Sequence, residues 1–173
     1  MEYFDVYDEN RNFLNKVMPK GTKLNDNQYK LVVHVCIFNS KNQMLIQQRQ
    51  NIKSTYPNTW DISVGGHVIT GETTKQAAHR ETFEELGLDI DFENERPFFT
   101  INFTTGFDDF YIIEKDINLE DLSLQPEEVQ AVKWASKKQI LKLISSNKFM
   151  PYYKGFIHAL FDMKEFRGVH KPK

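Results

Sequence analysis

The segment from Gly66 to Leu88 reads GHVITGETTKQAAHRETFEELGL, and it contains the best-bounded predicted element of the chain. Thr73 and Gln76 have the spacing of a capping box, in which each side chain bonds to the backbone of the other residue at a helix N-terminus. Gly87 stands where a left-handed residue ends a helix, because glycine adopts positive φ without strain. The sequence therefore predicts a helix over Thr73–Leu86.

Three glutamates share one face of this predicted helix. At about 100° per residue, Glu81, Glu84 and Glu85 fall within an arc of about 100°. Like charges at this spacing cost about 0.2–0.5 kcal/mol per pair, and Arg80 is the local cation that offsets them. Hard divalent cations such as Mg²⁺ and Mn²⁺ prefer carboxylate oxygens, so the cluster predicts a metal site. The alternative is an ordinary solvated helix face.

Strand and turn patterns extend outward from the capped helix in both directions. Extended segments are predicted at Tyr3–Tyr7, Phe13–Met18, Leu31–Phe38, Met44–Arg49, Trp60–Val64, His67–Ile69, Phe98–Thr104, Phe110–Glu114 and Val129–Trp134. The first two form a hairpin over about residues 3–18. Leu31–Phe38 is expected to be a central strand with Met44–Arg49 as its antiparallel neighbour. Between two short segments, Gly65-Gly66 permits a tight bend or a close backbone approach.

Two amphipathic helices are predicted within residues 136–163, and the last residues are expected to be a solvated basic tail. Strands followed by a helix, then strands followed by helices, predict an α/β fold with a mixed sheet flanked by helices. We expect one domain over residues 1–173.

Composition limits the classes of protein to which the chain can belong. Its 173 residues are 40% hydrophobic and 27% charged, with a net charge of −2, as in one soluble domain. This balance gives no broad field for a nucleic acid polymer, and no apolar run approaches the roughly 20 residues of a membrane-spanning helix. The single Cys36 is expected in the core, and the lack of a secretory signal pattern predicts a cytoplasmic location.

The spacing within residues 66–88 resembles the signature of the Nudix hydrolase family. The matching positions are Gly66, Glu72, Arg80, Glu81, Glu84, Glu85, Gly87 and Leu88. Thr82 departs from the aliphatic residue that is usual at its position. The resemblance implies a Nudix α/β/α sandwich. It also implies metal-dependent hydrolysis of a diphosphate bond, in a nucleoside diphosphate linked to another moiety or in a related organic diphosphate, with Mg²⁺ or Mn²⁺.

The resemblance also implies roles for individual residues. The implied metal ligands are the side chains of Glu81, Glu84 and Glu85 and the backbone carbonyl of Gly66. One of these glutamates, or a more distant one, would act as the catalytic base. Arg80 would orient the carboxylates through charge-assisted contacts, and Glu72 would favour the helix N-terminus.

Three residues outside the helix are further candidates. Glu128 resembles a downstream acidic position from which many Nudix enzymes recruit a ligand or base, although a turn carboxylate is an equal alternative. Arg49 could clamp a phosphate with its planar guanidinium, or be an exposed arginine at a strand end. His67 could reach the metal or a phosphate, or be a loop histidine that bonds to backbone.

Residues 30–134 also resemble the isopentenyl-diphosphate isomerase branch of the family. That branch uses a cysteine just before a Gly-His pair and a histidine-rich metal site. His67 matches one of its histidines, but Gly65 occupies the place of the cysteine and Lys30 that of another histidine. The complete glutamate set therefore favours a hydrolase, with a small-molecule diphosphate as its partner. A true isomerase and a catalytically silent nucleotide-sensing module are the alternatives, and a homodimer is compatible because Nudix proteins are often dimers.

Overall fold

The computed structural model describes residues 2–166, 168 and 170. The strands are β1 (Tyr3–Tyr7), β2 (Phe13–Pro19), β3 (Lys30–Phe38), β4 (Met44–Arg49), β5 (Trp60–Asp61), β6 (Val64–His67), β7 (Phe99–Phe103), β8 (Gly106–Glu114) and β9 (Val129–Ala135). The α-helices are α1 (Thr74–Leu86), α2 (Lys137–Ser145) and α3 (Lys154–Met163), and a short 3-10 helix covers Leu119–Asp121. The end of the predicted basic tail, residues 171–173, lies outside the described residues.

Strand β3 lies at the centre of a mixed sheet, as predicted. It pairs in parallel with β8, which also carries β7, and it pairs antiparallel with β6 from Val32 to Val35. The predicted neighbour β4 joins β3 at one pair, Phe38↔Met44. The expectation that β4 is the antiparallel neighbour of β3 is therefore confirmed, although β4 diverges after this pair and continues alongside β5 and β9.

The Gly65-Gly66 pair lies inside β6 rather than in a bend. Strand β6 therefore runs through the glycines, and the predicted strands on either side of them had incorrect boundaries. A Cβ at Gly65 would lie 2.7 Å from Cδ2 of His34, and one at Gly66 would lie 2.0 Å from Cδ of Glu81. The absence of a side chain at these glycines allows His34 and Glu81 to pack directly against the backbone of β6.

Helices cover both faces of the sheet. Val33, Val35 and Ile37 of β3 belong to the core beneath α1, whereas Cys36 and Phe38 belong to the core beneath α2 and α3. This division follows the alternation of side chains along a strand. The predicted sandwich is therefore confirmed, as is the core position of Cys36. Among the described residues, no helix has the length and apolar content needed to cross a bilayer.

The N-terminal hairpin of β1 and β2 is confirmed, and it is bound to the rest of the chain at both ends. Near its turn, Arg11 donates two hydrogen bonds to the buried carboxylate of Asp109, at 3.0 and 2.8 Å. At the other end, the carbonyl of Tyr3 accepts a hydrogen bond from the backbone of Thr70 at 2.9 Å. The hairpin thus lies against the loop that leads into α1.

Asp109 belongs to β8, which begins before the predicted Phe110, because the pairing of β8 with β3 starts at Gly106.

The boundaries of α1 match the predicted caps. Thr73 and Gln76 form both bonds of the capping box, and Gly87 ends the helix at φ 70° with its N–H bonded to the carbonyl of Phe83. Thr82, which replaces an aliphatic residue of the family pattern, is buried and donates its hydroxyl to the carbonyl of Ala78 at 2.6 Å. The internal hydrogen bond explains why a polar residue is tolerated there.

His34 and Asp108 form a hydrogen-bonded pair on the face of the sheet opposite α1. His34 Nδ1 lies 2.6 Å from Asp108 Oδ1, and the imidazole stacks on Phe110 at 4.7 Å between ring centroids. Burial lowers the pKa of His34, but the hydrogen bond and charge of Asp108 outweigh it and raise the pKa above the usual value.

The cap glycine gives a first prediction. Gly87→Ala should lower the free energy of unfolding by about 2–3 kcal/mol, from left-handed strain of about 1–2 kcal/mol plus a steric clash. The new Cβ would lie 2.8 Å from Cβ of Ser123. Gly71→Ala is the matched control, because its φ is 82° but no atom lies within 4 Å of the Cβ position. Chemical denaturation should show a smaller loss for the control, and equal losses would contradict the clash.

The His34–Asp108 pair predicts a pH dependence of stability. Because the folded-state pKa of His34 is raised, its contribution is complete below the unfolded value of roughly 6.5 and is lost as pH rises through the folded-state pKa. The free energy of unfolding should therefore fall over this range, and Asp108→Asn should remove or reverse that decline. Denaturation at a series of pH values measures both slopes, and an unchanged slope in the variant would refute the assignment.

Candidate active site

Arg80 is the centre of an ion-pair network with three glutamates. Its Nε and Nη2 donate to the two carboxylate oxygens of Glu72 at 2.7 and 2.9 Å. Its Nη1 donates to Glu81 at 2.9 Å and Glu84 at 3.0 Å. Nη2 also donates to the carbonyl of His67 at 3.0 Å. The hydrogen bonds that Arg80 donates to Glu72, followed by the charge of Glu81, raise the pKa of Arg80. This is the geometry that the predicted orienting role of Arg80 requires.

Glu72 has a different principal partner from the one that its sequence position indicates. It was expected to favour the N-terminus of α1. Its carboxylate instead forms the bidentate pair with Arg80 and also accepts a hydrogen bond from the backbone of Ile69 at 3.2 Å. Glu72 therefore joins the loop before α1 to the guanidinium that holds the other carboxylates.

Glu81 lies directly against the backbone of β6. A Cβ at Gly66 would be 2.1 Å from Oε1 of Glu81, so any other residue at position 66 would displace this carboxylate. Burial raises the pKa of Glu81, and the neighbouring Arg80 opposes the rise. The sequence spacing of Gly66 and Glu81 thus corresponds to a direct contact.

Glu85 is a buried carboxylate, 5% exposed, with a neutral partner. Its Oε2 accepts a hydrogen bond from Nε2 of Gln47 at 2.9 Å. Burial and then the charge of Glu81 raise the pKa of Glu85 well above its usual value. Gln47 was not predicted as a site residue. The available signal was its polar side chain on β4, two residues after the buried Leu45 and therefore on the same face of the strand.

The three glutamates lie on one face of α1 but do not converge on a common point. Glu84 is partly exposed and bonds to Arg80, Glu81 bonds to Arg80, and Glu85 bonds to Gln47. Within residues 2–166, 168 and 170, no three His, Cys, Asp or Glu side chains are arranged to hold a metal ion.

The chemistry of these side chains nevertheless fits a divalent cation. Glu85 is a buried carboxylate without a cationic partner in the described part of the chain, and Glu81 adds a second negative charge beside it. Uncompensated buried charge is costly, and hard cations such as Mg²⁺ and Mn²⁺ bind oxygen ligands of this kind.

Glu128 lies near the C-terminal end of α1, and among the described residues neither Glu128 nor Arg49 bonds to the three glutamates. The backbone of Gln125 donates to the carbonyl of Glu85 at 3.1 Å, which brings the following residues against the helix. Glu128 pairs with Lys53, and its charge contributes to the raised pKa of Glu85. Arg49 is mostly buried rather than exposed, and its Nε has no hydrogen-bond partner among the described residues.

His67 belongs to β6, and its side chain contacts a lysine. The alternative prediction, a loop histidine that bonds to backbone, was therefore wrong. Nε2 of His67 lies 2.9 Å from Nζ of Lys30. Burial and the charges of Lys30 and Lys20 lower the pKa of His67 to about 4. Neither lysine was predicted as a site residue. Lys30 was noted only as a departure from the isomerase pattern, and no signal in the sequence places Lys20 near His67.

Comparisons with known proteins agree with this geometry. Residues 28–157 match the NUDIX domain family. A protein described as an uncharacterized Nudix hydrolase from Listeria innocua is 46% identical over 170 residues, covering 98% of this chain and 99% of that protein. An isopentenyl-diphosphate Delta-isomerase from Pectobacterium atrosepticum is 32% identical over 115 residues, covering 62% of each.

The fold is also shared with a solved structure. The crystal structure of DR0079 from Deinococcus radiodurans has a TM-score of 0.74 and covers 96% of this chain and 99% of its own, at 24% identity. The family match includes Gly66–Leu88, and within that segment the structure places the carboxylates of Glu72, Glu81 and Glu84 around Arg80. The chain is thus a Nudix hydrolase, an enzyme that acts on diphosphate bonds.

Proposed function

We propose that the chain hydrolyses a nucleoside diphosphate linked to another moiety, or a related organic diphosphate, with Mg²⁺ or Mn²⁺ as its cofactor. The observation that carries this proposal is Glu85, a buried carboxylate beside Glu81 whose hydrogen-bond partner is the neutral Gln47. Removal of a charge from water without a counterion destabilises a fold, so this arrangement favours a cation that arrives as a ligand.

The proposed metal ligands are those that the resemblance implies. They are the carboxylates of Glu81, Glu84 and Glu85, the carbonyl of Gly66 and, as an additional ligand, Glu128. When bound, the ion supplies positive charge against both phosphates and activates water for attack.

Side chains of this protein then have distinct tasks. Arg80 holds Glu81 and Glu84, and Glu72 fixes the orientation of Arg80 through two hydrogen bonds. Glu85 acts as a metal ligand or as the base. Its Oε2 is held by Gln47, whereas Oε1 accepts no hydrogen bond from the described residues and is the atom that can take a proton. Arg49 and His67 are proposed to bind the substrate.

The wider proposal concerns the setting of the reaction. It includes a cytoplasmic single-domain protein over residues 1–173, a small-molecule substrate rather than a nucleic acid polymer or a membrane, and assembly as a homodimer. The near balance of charge, at −2, supports the small-molecule substrate, because a small diphosphate requires a local site and not an extended basic surface.

The isomerase alternative is disfavoured by the backbone at Gly65. The isomerase branch carries its cysteine at this position, but a Cβ here would lie 2.7 Å from the ring of His34. The single cysteine of the chain, Cys36, is buried in the core, where burial raises the pKa of its thiol. Neither position supplies a reactive thiolate.

Substitution of Glu85 tests the mechanism. Glu85→Gln should reduce Mg²⁺-dependent phosphate or nucleotide release by about 10²–10⁴-fold, since glutamine neither binds a cation as strongly nor accepts the proton. The free energy of unfolding should change by less than about 1 kcal/mol, because the amide has the same shape and Gln47 remains a partner. Glu120→Gln, in the exposed 3-10 helix, is the matched control and should leave the rate unchanged. A near-normal rate for Glu85→Gln would refute the role of Glu85.

A substrate panel distinguishes the three functions. The panel contains ADP-ribose, NADH, dinucleoside polyphosphates, nucleoside triphosphates and prenyl diphosphates, each assayed with Mg²⁺ and with Mn²⁺. We expect hydrolysis of at least one diphosphate and no isomerisation of isopentenyl diphosphate. Isomerisation without phosphate release would establish the isomerase alternative, and no turnover of any compound would favour the sensing module.

A further inference from the structure

Lys30 is a half-buried cation at the start of β3, and the described residues give it no anionic partner. Its Nζ lies 2.9 Å from Nε2 of His67, and burial lowers the pKa of the ammonium. In the part of the chain that the structure describes, no carboxylate forms an ion pair with Lys30 within 4.0 Å. A partly desolvated ammonium that contacts a neutral ring lacks the counterion that usually compensates its burial.

The hydrogen bond between these residues also fixes the state of the imidazole. An ammonium group has three donors and no acceptor, so Nε2 of His67 must accept and Nδ1 must carry the hydrogen. Two N–H groups of Lys30 and the Nδ1–H of His67 then remain without partners among the described residues. The pair offers donors and positive charge but no acceptor, which is the complement of a phosphate oxygen.

The position of this pair relates it to the glutamates. His67 follows Gly66, on whose backbone Glu81 lies, and its own carbonyl accepts a hydrogen bond from Arg80. Because side chains alternate along a strand, the imidazole projects from the face of β6 opposite Glu81, so the backbone of these two residues connects the pair with the glutamates. Lys20, at the end of the N-terminal hairpin, adds a further positive charge that lowers the pKa values of both Lys30 and His67. Lys20 is itself partly balanced by Glu2, at 2.6 Å.

We propose that Lys30 and His67 bind one phosphate of the diphosphate substrate, and that Lys20 strengthens this subsite through its charge. The inference rests on the proposed function, since it assigns a second half to the same site. The glutamates of α1 form the part that takes a cation, and the Lys30–His67 pair forms the part that takes an anion. A fixed ammonium thus occupies the position where the isomerase branch has a metal-binding histidine.

Methylenediphosphonate, a diphosphate analogue that cannot be hydrolysed at the bridge, is the probe for this subsite. Its dissociation constant is measured by calorimetry with and without Mg²⁺. Lys30→Met keeps the length of the side chain but removes its charge, and it should weaken binding by about 10- to 100-fold, the effect of losing hydrogen bonds to a charged group. Lys30→Arg retains a cation and should restore most of the affinity.

Lys41→Met is the matched control, because Lys41 lies in the turn at the opposite end of β3 and is exposed. It should bind the probe as the parent does. Thermal unfolding of each variant shows whether the fold is intact, and the backbone bond from Lys30 to Thr105 does not depend on the side chain. Equal affinity in the parent and in Lys30→Met, or no binding by the parent in either condition, would overturn the proposal.

A failure of the proposed subsite can be distinguished from a failure of the proposed hydrolytic function. If the parent binds the probe through Lys30 but hydrolyses no diphosphate, the subsite stands and the hydrolytic function fails. If the parent hydrolyses a diphosphate and Lys30→Met has an unchanged KM, the function stands and the subsite fails.

Discussion

The bonds of Arg80 are the interaction on which the rest of the site depends. One guanidinium contacts the loop before α1 through Glu72, the helix itself through Glu81 and Glu84, and β6 through the carbonyl of His67. Its five N–H donors lie in a fixed plane, so these partners cannot move independently of one another. A lysine would keep the charge but lose this geometry, which explains why the identity of the residue and not its charge alone matters here.

Two charges without a counterion lie near Arg80, one on α1 and one on β3, the strand that pairs with β6. Among the described residues, Glu85 is a buried carboxylate without a cation, and Lys30 is a half-buried ammonium without an anion. Each arrangement is unfavourable alone, and the two residues do not contact each other in the described structure. On the two proposals above, a diphosphate that brings a divalent cation would supply both missing charges. The electrostatic cost of these charges in the free protein would then favour binding of that ligand, as expected where a site is organised before its ligand arrives.

The sequence predicted local features better than pairing between distant segments. The caps of α1 depend on residues four or fewer positions apart, and Thr73, Gln76 and Gly87 have the roles assigned to them. The strands that pair with β3 over most of its length, β6 and β8, could not be identified in this way, because alternation shows which face is buried but not which neighbour lies alongside. Gln47 and Lys30 were missed for a related reason. Their partners, Glu85 and His67, lie 38 and 37 residues away, and one side chain alone does not reveal them.

Gly65 and Gly66, both in β6, distinguish the proposed hydrolytic chemistry from that of the isomerase branch. At Gly66 the missing side chain makes room for Glu81, a metal ligand in the proposed hydrolysis. At Gly65 it makes room for His34, whose ring lies where a cysteine side chain would begin and which is held there by Asp108 at 2.6 Å. A thiol at position 65 would therefore need His34 to leave its pair with Asp108. The absence of the isomerase nucleophile is thus built into the packing of the opposite face of the sheet, and a single substitution at Gly65 would not restore it.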